Sequence, residues 1–230
     1  MKLINNILDF IYPKTSVISG ERLPENNSNE FITDIEFNSL SKVTLKDLED
    51  LSFKLNSVYS FSHIAFYEND EFSRLVYQLK YGGVKKIGIF LGEILGRELK
   101  NYLDKIIGVK FDYIVPVPLY KTKFRERGYN QSDYICKGLS RILEIEYKPD
   151  VLKRIRHTKT QTKLHRTDRI DNVKDAFEFN VKYKDELKGK KLIVADDVVT
   201  TGSTLNEAIK TLKENTGSDI MACTVAMARD

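Results

Sequence analysis

The stretch KLIVADDVVTTGSTLNEAI, residues 191–209, constrains this 230-residue chain more than any other. After Lys191 it is wholly apolar up to two adjacent carboxylates, Asp196 and Asp197. Thr200, Thr201, Gly202, Ser203 and Thr204 then place four hydroxyls and a glycine ahead of a helical pattern with Leu205, Ala208, Ile209 and Leu212 on one face. A short apolar run passing directly into an amphipathic helix belongs in a parallel sheet with helices on both faces. In such sheets ligands bind beyond the carboxyl ends of the strands. Loop amides and the positive end of the helix dipole favour an anion there, the glycine allows close backbone approach, and the hydroxyls add neutral donors. Carboxylates one loop away from a phosphate-binding turn suit the vicinal hydroxyls of a sugar phosphate.

The rest of the chain agrees with an α/β fold. Residues 61–66 and 111–118 read as strands. Residues 72–81 and 84–103 read as helices parted by Gly82 and Gly83, the second with Ile87, Leu91, Ile94, Leu95 and Leu99 on one face. A helix is expected from Gln131 to about Glu144, and a final buried strand over residues 220–228. Residues 1–55 form a separate N-terminal region, and 56–230 the main domain. In the former, Leu3, Ile4, Ile7, Leu8 and Ile11 recur at helical spacing before Pro13, and residues 14–45 are polar and irregular.

Charge is concentrated rather than large. The formal net charge is only +4, so composition alone does not point to nucleic acid. Lys121, Lys123, Arg125 and Arg127 crowd one expected loop, 119–129, after a proline-bounded strand. Lys153, Arg154, Arg156, Lys159, Lys163, Arg166 and Arg169 crowd another segment that lacks apolar periodicity and reads as a flap. Such clusters suit a pyrophosphate with its metal, or a polyanion backbone. Tyr120, Phe124 and Tyr129, interleaved with the first cluster, either pack under the loop or stack on the bases of a single strand. Cys136 and Cys223 stand far apart, which excludes a disulfide framework and a cysteine zinc site. His157 and His165 are too isolated to argue for a metal. No run of about 18 uninterrupted apolar residues or signal-peptide core is present, so no membrane insertion is expected and the expected compartment is the cytoplasm.

LIVADDVVTTGST resembles the signature of type I phosphoribosyltransferases. Five blocks resemble the ComF family of competence-associated, phosphoribosyltransferase-like proteins. They are LxxxLKYG at 75–82, IGxxLG at 87–92, PVP followed by RxRGYNQS at 125–132, TKTQTK with RxxNVxxAF at 169–177, and VADDVVTTGST. The resemblance implies a type I phosphoribosyltransferase-like parallel sheet flanked by helices, with a small N-terminal appendage. It implies binding of phosphoribosyl pyrophosphate with Mg²⁺. Asp196 and Asp197 would hold the ribose hydroxyls and, through them or water, the metal; Thr200, Thr201, Gly202, Ser203 and Thr204 would hold the 5-phosphate. Lys121, Arg125 and Arg127 would face the pyrophosphate, and Lys159, Lys163 and Arg166 would close as a lid. Single-stranded DNA and a competence helicase are the implied macromolecular partners, either beside turnover or in its place. A donor sensor is a further alternative. Purine-base members carry a carboxylate just before the Thr-Gly pair; Thr200-Thr201-Gly202 lacks it, which weakens a purine acceptor. Ser16 and Ser19 stand where the family's first zinc-binding cysteine pair falls, and Ser41 and Thr44 near the second. No zinc is expected, with packing alone securing this module.

Overall fold

The computed structural model describes residues 14–55, 57–66, 71–156 and 174–228. Helices α1 (Asp34–Ser39) and α2 (Leu45–Lys54) precede strand β1 (Tyr59–Phe66), and α3 (Glu71–Tyr81) and α4 (Lys85–Tyr102) follow it. Next come β2 (Tyr113–Pro116), α5 (Lys121–Arg127), α6 (Gln131–Leu143), β3 (Glu146–Tyr147), β4 (Leu152–Arg154) and β5 (Phe177–Phe179). Strand β6 (Lys191–Val199), α7 (Ser203–Thr216) and β7 (Asp219–Ala228) close the fold. The main sheet runs β1-β7-β6-β2-β3 with every neighbouring pair parallel. Strands β4 and β5 form a separate antiparallel pair.

Alternation along β6 explains the layering. Ile193 and Ala195 enter the core shared with α3, α4 and α6, whereas Leu192 and Val194 enter the one shared with α7, β4 and β5. The first layer is pinned by glycine. Gly88, Gly92 and Gly96 make one stripe of α4 against α6, and Gly138 of α6 faces back. A β-carbon at Gly92 would lie 2.1 Å from the Ile135 carbonyl oxygen, and one at Gly138 2.2 Å from that of Ile89. The two backbones therefore touch, and the stripe fixes where the first residues of α6 stand.

Three expectations change. Residues 14–45 contain α1, because Thr33 and Glu36 form a reciprocal capping box that starts a helix in a polar sequence. The basic stretch expected as the loop 119–129 contains α5, which ends at Gly128 in a left-handed turn (φ 75°). The strand expected over 191–195 continues to Val199, since β7 pairs with β6 as far as Val199 and Met227. The N-terminal helix expected over residues 3–11 lies outside the described residues.

The appendage holds together by more than packing. The Ser16 hydroxyl accepts from the amides of Ile18 (3.0 Å) and Ser19 (3.3 Å) and donates to Glu36 (2.7 Å). Glu36 also accepts from the Thr33 amide at 2.6 Å. Burial works against its charge, but the hydrogen bonds from Ser16, Ser19 and Thr33 hold the Glu36 carboxyl below the usual range. Ser16→Ala should therefore cost about 1–2 kcal/mol, seen as a lower urea midpoint at unchanged slope.

Candidate functional site

Strand order builds the site. On one side β6 stays paired to β7 through Val199. On the other, β2 ends with Pro116 opposite Ala195, and its last contact is the Val117 amide on the Ala195 carbonyl at 2.9 Å. Proline cannot extend the ladder as a donor, so the chain leaves the sheet through Pro118. The edge of β6 opens at Asp196, and a hollow forms there, lined by Lys80, Val117, Pro118, Leu119, Lys123, Arg127, Gln131, Arg154, Asp196, Asp197 and Thr204. A second hollow, lined by Asp196 and residues 198–205, adjoins it. Asp196 and Thr204 belong to both.

The two carboxylates are held differently. Asp196 is half-buried and accepts from the Ser132 hydroxyl and the Asp197 amide, each at 2.9 Å. Burial, reinforced by Asp197, pushes its pKa up to about 7. Asp197 pairs with Lys80 at 2.8 Å and accepts from the Val198 amide at 2.8 Å. Opposite them, burial depresses the Lys123 pKa, and the neighbouring charges of Arg127, Arg154 and Lys80 add to that effect. Burial likewise disfavours the charged form of Arg154, with Asp196 opposing it. Two acids thus face four basic residues in one hollow, and the bases crowd one another. That surplus attracts an anion carrying more than one charge.

Helix periodicity sorts the basic cluster of α5. Lys123 and Arg127, four residues apart, share the face that lines the hollow. Lys121 and Arg125 are exposed and do not line it. Arg127 also donates to Gln131 at 2.8 Å and lies over the Tyr81 ring at 5.2 Å. Thr200, Thr201, Gly202, Ser203 and Thr204 all line the second hollow, where Thr201 and Ser203 hydroxyls approach to 3.0 Å. Lys159, Lys163 and Arg166 lie outside the described residues. Of the aromatics, Tyr129 is buried, its hydroxyl donating to the Leu79 carbonyl, whereas Phe124 remains exposed. Sequence reasoning passed over Lys80 and Ser132, and placed Lys123 and Arg154 in basic clusters without giving either a role of its own. Lys80 and Ser132 fall inside the LKYG and YNQS blocks, a signal of place but not of role.

No cluster of metal-ligating side chains occurs among the described residues. The adjacent carboxylates nonetheless offer hard oxygens of the kind Mg²⁺ accepts through one or two acids and water, and a nearby cation would relieve their mutual repulsion. No helix among the described residues is long and apolar enough to cross a membrane.

A phosphoribosyl transferase domain model matches residues 132–230. Competence protein F of Haemophilus influenzae is 46% identical over 101 residues, 44% of either chain. DNA utilization protein YhgH of Escherichia coli K12 is 35% identical over 144 residues, 62% of this chain and 61% of that one. Competence protein ComFC of Bacillus subtilis is 30% identical over 147 residues, 64% and 55% of the two chains. The chain thus spans about half the length of the curated relatives it matches, from 44% to 61%. Among solved structures, an adenine phosphoribosyltransferase is 16% identical over 61% of this chain and 71% of that one, with a TM-score of 0.39. The parallel sheet, its switch-point hollow and the domain match define a phosphoribosyltransferase-like α/β protein. Its relatives include competence protein F and YhgH, in agreement with the resemblance to the ComF family.

Proposed function

We propose that this chain binds phosphoribosyl pyrophosphate with Mg²⁺, as a phosphoribosyl donor, and serves DNA uptake in the cytoplasm. The observation that carries the reading is the joining of two hollows at Asp196 and Thr204. One offers hydroxyls and a helix N-terminus, suited to a phosphate monoester. The other offers Lys80, Lys123, Arg127 and Arg154, suited to a diphosphate. Carboxylates stand between them, where ribose hydroxyls need acceptors. In transfer, the bond from ribose C1 to the pyrophosphate oxygen breaks as C1 bonds to the acceptor, and pyrophosphate leaves with the electron pair. Lys123 and Arg127 would stabilise the growing negative charge on the leaving group. Bound Mg²⁺ would supply further neutralisation of the pyrophosphate oxygens. The purine acceptor stays disfavoured for want of a carboxylate before Thr201-Gly202.

Calorimetry tests the assignment by halves. Lys123→Ala with Arg127→Ala should weaken the Mg²⁺–donor complex more than about tenfold, since each charge-assisted bond is worth about 1.5–3 kcal/mol, yet leave ribose 5-phosphate within about twofold. Lys121→Ala with Arg125→Ala should change neither. Equal losses for both ligands in the first pair would refute the placement of the pyrophosphate.

The outer face of α5 favours a second, compatible reading. Lys121, Phe124 and Arg125 are exposed there, away from the hollow. Cations around an aromatic ring suit single-stranded DNA, by phosphate contact and base stacking. Strand binding should fall with salt and with Lys121→Ala/Arg125→Ala, and persist in Lys123→Ala/Arg127→Ala. The reverse pattern would put the strand in the hollow instead. A helicase partner belongs to this reading and would be sought by co-purification with the same two variants.

A further inference from the structure

We propose that the end of α2 is a clasp on the sugar-phosphate loop, so that ligand binding there and docking of residues 14–55 are coupled. The proposal rests on the reading of residues 200–204 as the 5-phosphate site. Three contacts carry it. The Lys54 ammonium donates to the Thr200 carbonyl at 2.7 Å. The Asn206 side-chain amide of α7 donates back to the Lys54 carbonyl at 3.0 Å. Leu55, fully buried, covers Gly202 so closely that a β-carbon there would lie 2.5 Å from the leucine Cδ2.

The first contact has a directional consequence. The described peptides are all trans, so the Thr200 C=O and the Thr201 N–H point in opposite directions. Lys54 does not line the loop's hollow. Holding the carbonyl outward toward Lys54 therefore turns the Thr201 N–H inward. The second and third contacts fix the two ends of the turn: Asn206 sits one turn into α7, and Gly202 is its cap, at φ 79°. Among the described residues, side chains within the loop contribute only the weak Thr201–Ser203 bonding, at 3.0–3.5 Å. Its conformation thus depends on a residue 146 positions away in sequence. Lys54 acts as a positioning residue: it shapes the anion site without touching the anion.

By linkage, whatever the clasp adds to ligand affinity, ligand adds to the clasp. The test uses the full chain, Mg²⁺ with phosphoribosyl pyrophosphate, calorimetry and hydrogen exchange. Lys54 is exposed, so its variants should fold. Lys54→Met should weaken binding about 5–10-fold, while Lys54→Gln, which keeps a donor, retains most of it. Ligand should slow exchange across residues 45–55 in the unmodified chain and not in Lys54→Met. Equal binding by Lys54→Met, or no ligand-induced protection at 45–55, overturns the clasp and leaves the phosphate reading standing. Equal loss in the Lys54→Met and Lys54→Gln variants also overturns it, by reducing Lys54 to a distant charge. No binding to the unmodified chain overturns both.

Discussion

Asp196→Asn should make the protein more stable above neutral pH while abolishing donor binding. The carboxyl is half-buried, accepts only two hydrogen bonds among those described, from Ser132 and the Asp197 amide, and sits beside a second acid. Its pKa rises from 3.8 to about 7. Between those values the folded state keeps a proton that the unfolded state has lost. Stability therefore falls as pH rises from about 4 to 7, and the full penalty is present above 7. An asparagine side chain can accept the same two hydrogen bonds without the charge. In metal-free buffer the substituted chain should be the more stable, by a gap in urea midpoint that is clearly smaller at pH 5 than at pH 8. Calorimetry of the same variant, and of Asp197→Asn, should show donor affinity reduced at least a hundredfold, because the ribose and its metal lose their anionic acceptor. A residue kept at a cost in stability and needed for binding is a functional residue. A variant less stable at pH 8 than the unmodified chain, or one that binds the donor normally, would show that Asp196 is a structural acid.

Gly92→Ala should be the most damaging small substitution in the scaffold. On an exposed helix, glycine to alanine gains about 1 kcal/mol. Here the new methyl would meet the Ile135 carbonyl oxygen at 2.1 Å and its carbonyl carbon at 2.9 Å. Both are backbone atoms, so relief requires α4 and α6 to separate. A net loss of about 2–3 kcal/mol is expected, in the upper range for overpacking. The damage should reach the site, because α6 carries Ser132 and Gln131, the former bonded to Asp196 and the latter lining the hollow. Thermal unfolding should show a drop in midpoint of several degrees, and donor affinity should fall with it. Lys86→Ala, an exposed change on the same helix, should do neither. An unchanged midpoint in Gly92→Ala would mean that the helices do not meet at this stripe.

How far the sequence could be read differs between these two sites. Residues 191–209 declared themselves, because strand, acids, hydroxyl loop and helix are contiguous and each obeys a local rule. Apolar alternation, a glycine with positive φ and an amphipathic stripe all act within a few residues. The same locality made α3, α4 and α6 legible. It failed for α5, whose four cations hid a helical face and so hid that Lys123 and Arg127 point one way while Lys121 and Arg125 point the other. It failed for α1, where a capping box rather than apolar periodicity starts the helix. The role of the glycines at 88, 92 and 96 shows only against the facing backbone of α6.

The sequence by itself therefore determined a parallel α/β domain with a hydroxyl-rich, glycine-containing loop after its central strand. Tertiary structure alone decided what surrounds Asp196 and Asp197. Lys80 from α3, Ser132 from α6, Arg154 from β4 and Lys54 behind the loop come from segments separated by tens of residues. Their meeting depends on the strand order β1-β7-β6-β2-β3 and on the close contact of α4 with α6. Hydrogen-bond geometry and apolar spacing act along the chain and can be read from it. Which charges converge on a hollow is set by packing across the chain, where one strand's early exit at Pro116 opens the space they fill.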